Sequence, residues 1–141
     1  MSVLSGTRVL RLASDPGVQV RVMSLGLACC AVEVDAAIED GLLVEEEPEA
    51  PAARRAVLLV AGTVTTPLAP LVDRAVAEAG PEVSVMAFGA CASTGGPYWD
   101  SPTVVNGVAE VLADVVVHTY VPGCPPRPDA LCTALAEMGS A

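Results

Sequence analysis

The chain has 141 residues, 52% apolar but only 3% aromatic, with a formal net charge of −10. That length suits one domain with a core of Val, Leu and Ala, and no uninterrupted apolar run reaches the roughly 18 residues of a membrane span. The acidic balance argues against a nucleic-acid partner, because a phosphate backbone needs a basic surface.

Arg8 and Arg11 interrupt the N-terminal apolar residues and no cleavage-site pattern follows, so no signal peptide is expected and the chain reads as cytoplasmic. Five cysteines in such a chain point to metal ligands or free thiols rather than a disulfide framework. The charge is uneven: eight of the 17 acids lie between Glu33 and Glu49, a span with no Lys or Arg.

A short strand is expected at 9–12. From Val18 the chain alternates, with Val18, Val20 and Val22 set against Gln19 and Arg21, which predicts a strand with one wetter face. It runs into Gly26-Leu27-Ala28-Cys29-Cys30. Ala31, Val34, Ile38 and Leu42 then recur at helical spacing, and Gly41 marks the helix end. A flexible acidic loop is expected at about 43–55, most polar from Glu45 on, either solvated or docking a basic partner. Residues 56–61 form a continuous apolar run, the pattern of a parallel strand buried on both faces.

Thr66-Pro67 predicts an N-cap and first helical position, with Leu68, Leu71, Val72, Ala75, Val76 and Ala79 on one face and Gly80-Pro81 as the stop. A strand at 83–88 and a loop carrying Cys91 follow. A helix is then expected from Ser101-Pro102 with Val104, Val105, Val108, Val111 and Leu112 inward, then a strand at 115–121 and a helix at 128–138. Strand and helix alternate, so the class is α/β: one domain over 1–141, a mainly parallel sheet, helices on both faces and right-handed crossovers.

Cys29 and Cys30 follow the strand that begins at Val18, Cys91 follows 83–88, and Cys124 follows 115–121. Loops after parallel strands share the carboxyl edge of the sheet, where ligands bind. Cys124 stands in Val121-Pro122-Gly123-Cys124-Pro125-Pro126, a stiff corner suited to a preset ligand. Gly89, Gly95, Gly96 and Gly123 allow close backbone approach and offer N–H groups to sulfur. Cys132, beside Leu131, reads as a packing thiol on the last helix. Four thiolates suit Zn²⁺ or a [4Fe–4S] cluster. The absence of a C-x₂₋₄-C knuckle argues against structural zinc. Ser93-Thr94-Gly95-Gly96 could cradle a flavin phosphate, but no G-x-G-x-x-G accompanies it.

Gly26-Leu27-Ala28-Cys29-Cys30-Ala31-Val32-Glu33, Val60-Ala61-Gly62-Thr63-Val64-Thr65, Gly89-Ala90-Cys91-Ala92-Ser93-Thr94-Gly95-Gly96 and Val121-Pro122-Gly123-Cys124-Pro125-Pro126-Arg127-Pro128 resemble the B subunit of complex I, the NADH:quinone oxidoreductase. That family is related to the small subunits of [NiFe] hydrogenases, and the resemblance runs from about Ser24 onward. It implies a flavodoxin-like iron–sulfur domain in which Cys29, Cys30, Cys91 and Cys124 ligate one [4Fe–4S] cluster. Electrons would come from a neighbouring iron–sulfur subunit and pass to quinone at the large-subunit interface. Glu33 matches an acidic residue near the cluster with a proton-linked role; as a first-turn helix residue it would equally sit in solvent.

The resemblance further implies a subunit inactive alone, peripheral on the cytoplasmic face of the membrane, next to a membrane arm. Pro97, Tyr98 and Trp99 mark a partner surface or a local lid. The chain departs from the family where residues 35–49 are acidic instead of rich in Met, Phe and Arg, in its brief N-terminal lead-in, and at Ala113-Asp114-Val115, which lacks a proline. A divergent paralogue, a small subunit of a membrane-bound [NiFe] hydrogenase-type complex and a non-enzymatic zinc scaffold are the alternatives.

Overall fold

The computed structural model describes residues 8–25, 29–46, 55–62, 64–79, 83–89, 92–93, 100–105, 107–111, 117–121 and 127–140. Six strands form one sheet in the order β3-β1-β2-β4-β5-β6. β1 (Arg8–Leu12) and β2 (Asp15–Leu25) make an antiparallel hairpin, and β3 (Leu43–Glu46) pairs antiparallel with the outer side of β1. From β2 the sheet is parallel through β4 (Arg55–Gly62), β5 (Ser84–Phe88) and β6 (Val117–Val121). The expected α/β class with a mainly parallel sheet therefore stands.

The apolar run on β4 is divided between two cores because successive strand residues face opposite ways. Val57, Leu59 and Ala61 join Val18, Val20 and Val22 of β2 and Met86 and Phe88 of β5 on one face. That face is covered by α1 (Cys29–Glu39) through Val34 and Ala37 and by α3 (Pro128–Ser140) through Leu131 and Leu135. Leu58 and Val60 join Val85 and Ala87 on the other face, covered by α2 (Ala69–Ala79) through Val72, Ala75 and Val76. Each fully buried Leu or Val adds roughly 1.5–3 kcal/mol, so β4, buried at Val57 to Ala61 on both sides, is the centre of the fold. Gln19 and Arg21 line a cleft with Glu78 and Ala79 on the α2 side; Arg21 is half-buried but Gln19 is buried, so the face expected to be wetter is wet only in part.

α1 ends where Gly41 takes φ +76°. The Gly41 N–H donates to Ile38 O (3.1 Å) and the Leu42 N–H to Ala37 O (2.9 Å), closing the helix with paired carbonyls. The chain then enters β3, so Leu43–Glu46, expected in the acidic loop, is strand and Arg55 opens β4, while the rest of that expected loop, 47–54, lies outside the described residues. Its acids are recruited by the arginines of β1. Arg8 bonds Asp35 (2.6 Å) and Glu45 (2.5 Å), in that order the causes that push its pKa further up. Arg11 donates from Nε to Glu46 Oε1 in a half-buried pair.

These pairs differ in weight. Glu45 is exposed and screened, so Glu45→Ala is expected to change stability by no more than about 0.5 kcal/mol. Glu46→Ala is expected to cost about 1–2 kcal/mol because it takes a charged partner from a half-buried guanidinium. The buried Glu46 Oε2, without a partner among the described residues, keeps that figure from being larger. Urea titration of the two variants checks the ranking.

The helix expected from 101 is absent. Thr65 and Val104 form an isolated antiparallel bridge, and among the described residues here only Val108–Glu110 makes a helical turn, a single 3-10 one. The periodic valines there are β-branched and poor helix formers. Gly107 adopts φ 101°, ψ 158°, a conformation essentially reserved for glycine, and stops any helix before Val108. Thr66 does not act as the expected N-cap: its N–H (2.8 Å) and hydroxyl (3.3 Å) both donate to Thr103 O. The Thr65 carbonyl takes the first bonds from Leu68 and Ala69 instead.

Candidate metal centre

Register places the carboxyl ends of the parallel strands side by side: Leu25 pairs with Gly62, Ala61 with Phe88, and Phe88 with Val121. Cys29 and Cys30 are the first two residues of α1, which starts just past the end of β2 at this edge. Cys91 follows the end of β5 by three residues and Cys124 follows the end of β6 by three. From β2 to β6 the edge is three inter-strand spacings wide, about 14 Å, and a three-residue segment reaches about 10 Å. Chain segments of that reach starting from β5 and β6 can meet the start of α1. Four thiolates are a donor set whose chemistry suits an iron–sulfur cluster.

The structure brings the backbone of Cys29 and Cys30 to that edge together with Phe88-Gly89 and Val121, from which the segments carrying the other two cysteines depart. Cys91, Cys124, Gly95, Gly96 and Gly123 themselves lie outside the described residues, as do Pro97, Tyr98 and Trp99. Gly89, buried and at φ +94°, turns the chain out of β5. Its N–H donates to Val121 O (2.7 Å), and its carbonyl accepts from the Ser93 N–H (3.1 Å) and the Ser93 hydroxyl (2.8 Å). The Ser93 hydroxyl proton is thus engaged within the turn instead of facing a phosphate. The Val64-to-Thr66 segment is tied likewise to Thr103-to-Val105, with the Val105 N–H on Val64 O (2.8 Å).

Helix termini add to the electrostatics. α1 opens at Cys29 with no acid in its first turn, and its amide end carries a partial positive charge. Glu33 is half-buried and lies in the second turn, not the first, one helical turn from Cys29. Cys132 is half-buried on α3 against the core, its thiol pKa pushed up by desolvation first and by Asp129 second. The Thr66 strap and the Ser93 turn were not legible in the sequence as such, although both residues stood out for other reasons.

Residues 17–138 match the family described as NADH ubiquinone oxidoreductase, 20 Kd subunit. An NADH-quinone oxidoreductase B subunit of Streptomyces griseus, the one numbered 2, is 43% identical over 121 residues, covering 83% of this chain and 50% of that protein. The protein of the same name from Symbiobacterium thermophilum is 45% identical over 120 residues, covering 82% of this chain and 64% of that protein. Among solved structures, the reduced, active Ni-Fe-Se hydrogenase from Desulfomicrobium baculatum is similar at TM-score 0.57 and 21% identity, covering 86% of this chain and 61% of that chain. At that identity the likeness is one of fold. The chain spans 50% and 64% of the two relatives' lengths.

Proposed function

The chain belongs to the family of the 20 Kd subunit of NADH ubiquinone oxidoreductase, and from that premise we propose that it is the electron-transfer subunit of such a complex, holding one [4Fe–4S] cluster on Cys29, Cys30, Cys91 and Cys124. The observation that carries this reading is the alignment of the β2, β5 and β6 ends at one edge, where α1 opens with two of the four cysteines. When bound, the cluster takes up and releases one electron at a time. The chain's part is to hold it: the amide end of α1 offsets thiolate charge, Gly89 lets backbone come close to sulfur, and the buried strand ends exclude water.

Glu33, half-buried one turn along α1 from Cys29, is the acidic residue this reading assigns a proton-linked role. β3 pairs with β1 and Asp35 with Arg8, at the opposite end of the sheet from β6. The wall facing quinone therefore falls mainly to the large partner subunit. Electrons arrive from a neighbouring iron–sulfur subunit, and the assembly meets the membrane arm peripherally on its cytoplasmic face. No helix among the described residues is long and apolar enough to cross a membrane. A hydrogenase-type partner is the weaker reading, since likeness there is one of fold while the 43% and 45% identities lie with the quinone enzymes.

Anaerobic reconstitution with iron and sulfide is expected to give a brown chain with both elements in the ratio of a [4Fe–4S] cluster. Zinc uptake with no sulfide-dependent colour would overturn the reading in favour of a structural scaffold.

A further inference from the structure

We propose that Ser93 is a positioning residue: its hydroxyl fixes the Gly89 carbonyl at the junction of the β5 and β6 ends, from which the segments bearing Cys91 and Cys124 depart. The inference rests on the reading that these cysteines are cluster ligands, and deepens it. The juncture is Gly89. Beyond the last ladder pair, Phe88 with Val121, the Gly89 N–H reaches Val121 O at 2.7 Å, so the base of the Cys91 loop is tied to the residue from which the Cys124 loop departs. At φ +94° the Gly89 carbonyl swings out of the sheet, and Ser93 meets it twice, with N–H at 3.1 Å and hydroxyl at 2.8 Å. A carbonyl oxygen has two lone pairs, and this one accepts two donors.

The flanks of the turn are fixed independently. Phe88 is fully buried in the core under α1 and α3, and Ala92 is fully buried in the core under α2. Ser93 itself is only half-buried, so losing its hydroxyl leaves both cores filled. What is lost is one of the two bonds that hold Gly89 O, and with it the orientation of the residue that links the two loops. Ligands held in place lose less conformational freedom when they bind, so the effect falls on cluster retention rather than on the fold.

The test uses the full chain reconstituted anaerobically with iron and sulfide, in wild-type, Ser93→Ala and Ser93→Thr forms. Iron release to a colorimetric ferrous chelator, the electron paramagnetic resonance spectrum of the reduced cluster, and thermal melting of the iron-free chain are measured together. One neutral hydrogen bond corresponds to an about two- to twelvefold change in a rate or equilibrium. Ser93→Ala is expected to release iron faster by that factor with altered resonance line shape, while the iron-free chain melts as wild type does. Ser93→Thr, which restores the hydroxyl, is expected to return both readouts to wild type. Release at the wild-type rate in Ser93→Ala overturns the proposal. So does faster release that merely tracks a lowered melting temperature and is not rescued by threonine. A wild-type chain that takes up no iron overturns the proposal and the cluster reading together.

Discussion

Replacing Cys124 with Ala is expected to leave the reconstituted chain without a cluster, whereas Cys132→Ser is expected to retain iron at the wild-type level. Both thiols belong to the stretch around the last helix, close together in sequence, which makes the contrast informative. Cys124 follows β6 by three residues and springs from Val121, the residue bonded to Gly89. Cys132 lies in the second turn of α3, packs against the core with Leu131 and Leu135, and keeps its proton because burial and then Asp129 disfavour the thiolate. A protonated, half-buried thiol is a poor ligand. Serine suits the Cys132 position because it keeps the size while removing the soft donor. Iron counted per chain after gel filtration decides the matter. If Cys124→Ala holds as much iron as wild type, the four-cysteine assignment is wrong. If iron falls equally in both variants, Cys132 belongs to the site.

What the sequence revealed depended on whether a residue's role is local or set by a distant neighbour. The two-faced burial of β4 was legible because a strand covered on both sides loses its alternation, and residues 57–61 show that loss. The alternation of Val18, Val20 and Val22 gave β2 for the complementary reason. β3 was not legible, since Glu45 and Glu46 look like solvent-facing acids until Arg8 and Arg11 lie beside them on β1. The valines at 104–111 carry a helical period, but the bridge from Thr65 to Val104 and the conformation of Gly107 prevail over it. The shared edge of the β2, β5 and β6 ends was legible from topology alone, because parallel strands deliver their carboxyl ends to one edge. The junction at Gly89 was not, because its bond to Val121 exists only where β5 and β6 are neighbours.

Gly89→Ala is expected to lower stability by at least about 2 kcal/mol and to prevent cluster assembly, and Gly41→Ala provides the control that separates these effects. Both glycines have positive φ, +94° at Gly89 and +76° at Gly41, so a side chain at either costs about 1–2 kcal/mol of backbone strain. Their surroundings differ. A Cβ on Gly41 would meet nothing within 4 Å, and the residue closes α1 on the side away from the cysteines. Relaxing the strain there disturbs one helix end. Gly89 is buried, and relaxing its φ turns the N–H away from Val121 O and the carbonyl away from Ser93, undoing three hydrogen bonds where the segments bearing Cys91 and Cys124 begin. For a chain of this length about 1 kcal/mol corresponds to a shift of roughly 3 °C in melting temperature. The iron-free Gly41→Ala chain is therefore expected to melt about 3–6 °C lower yet bind iron normally. Gly89→Ala is expected to melt at least about 6 °C lower and to bind none. Were Gly89→Ala to hold a full cluster despite its lowered melting temperature, Gly89 would be a folding residue only, and the loops would find the metal without it.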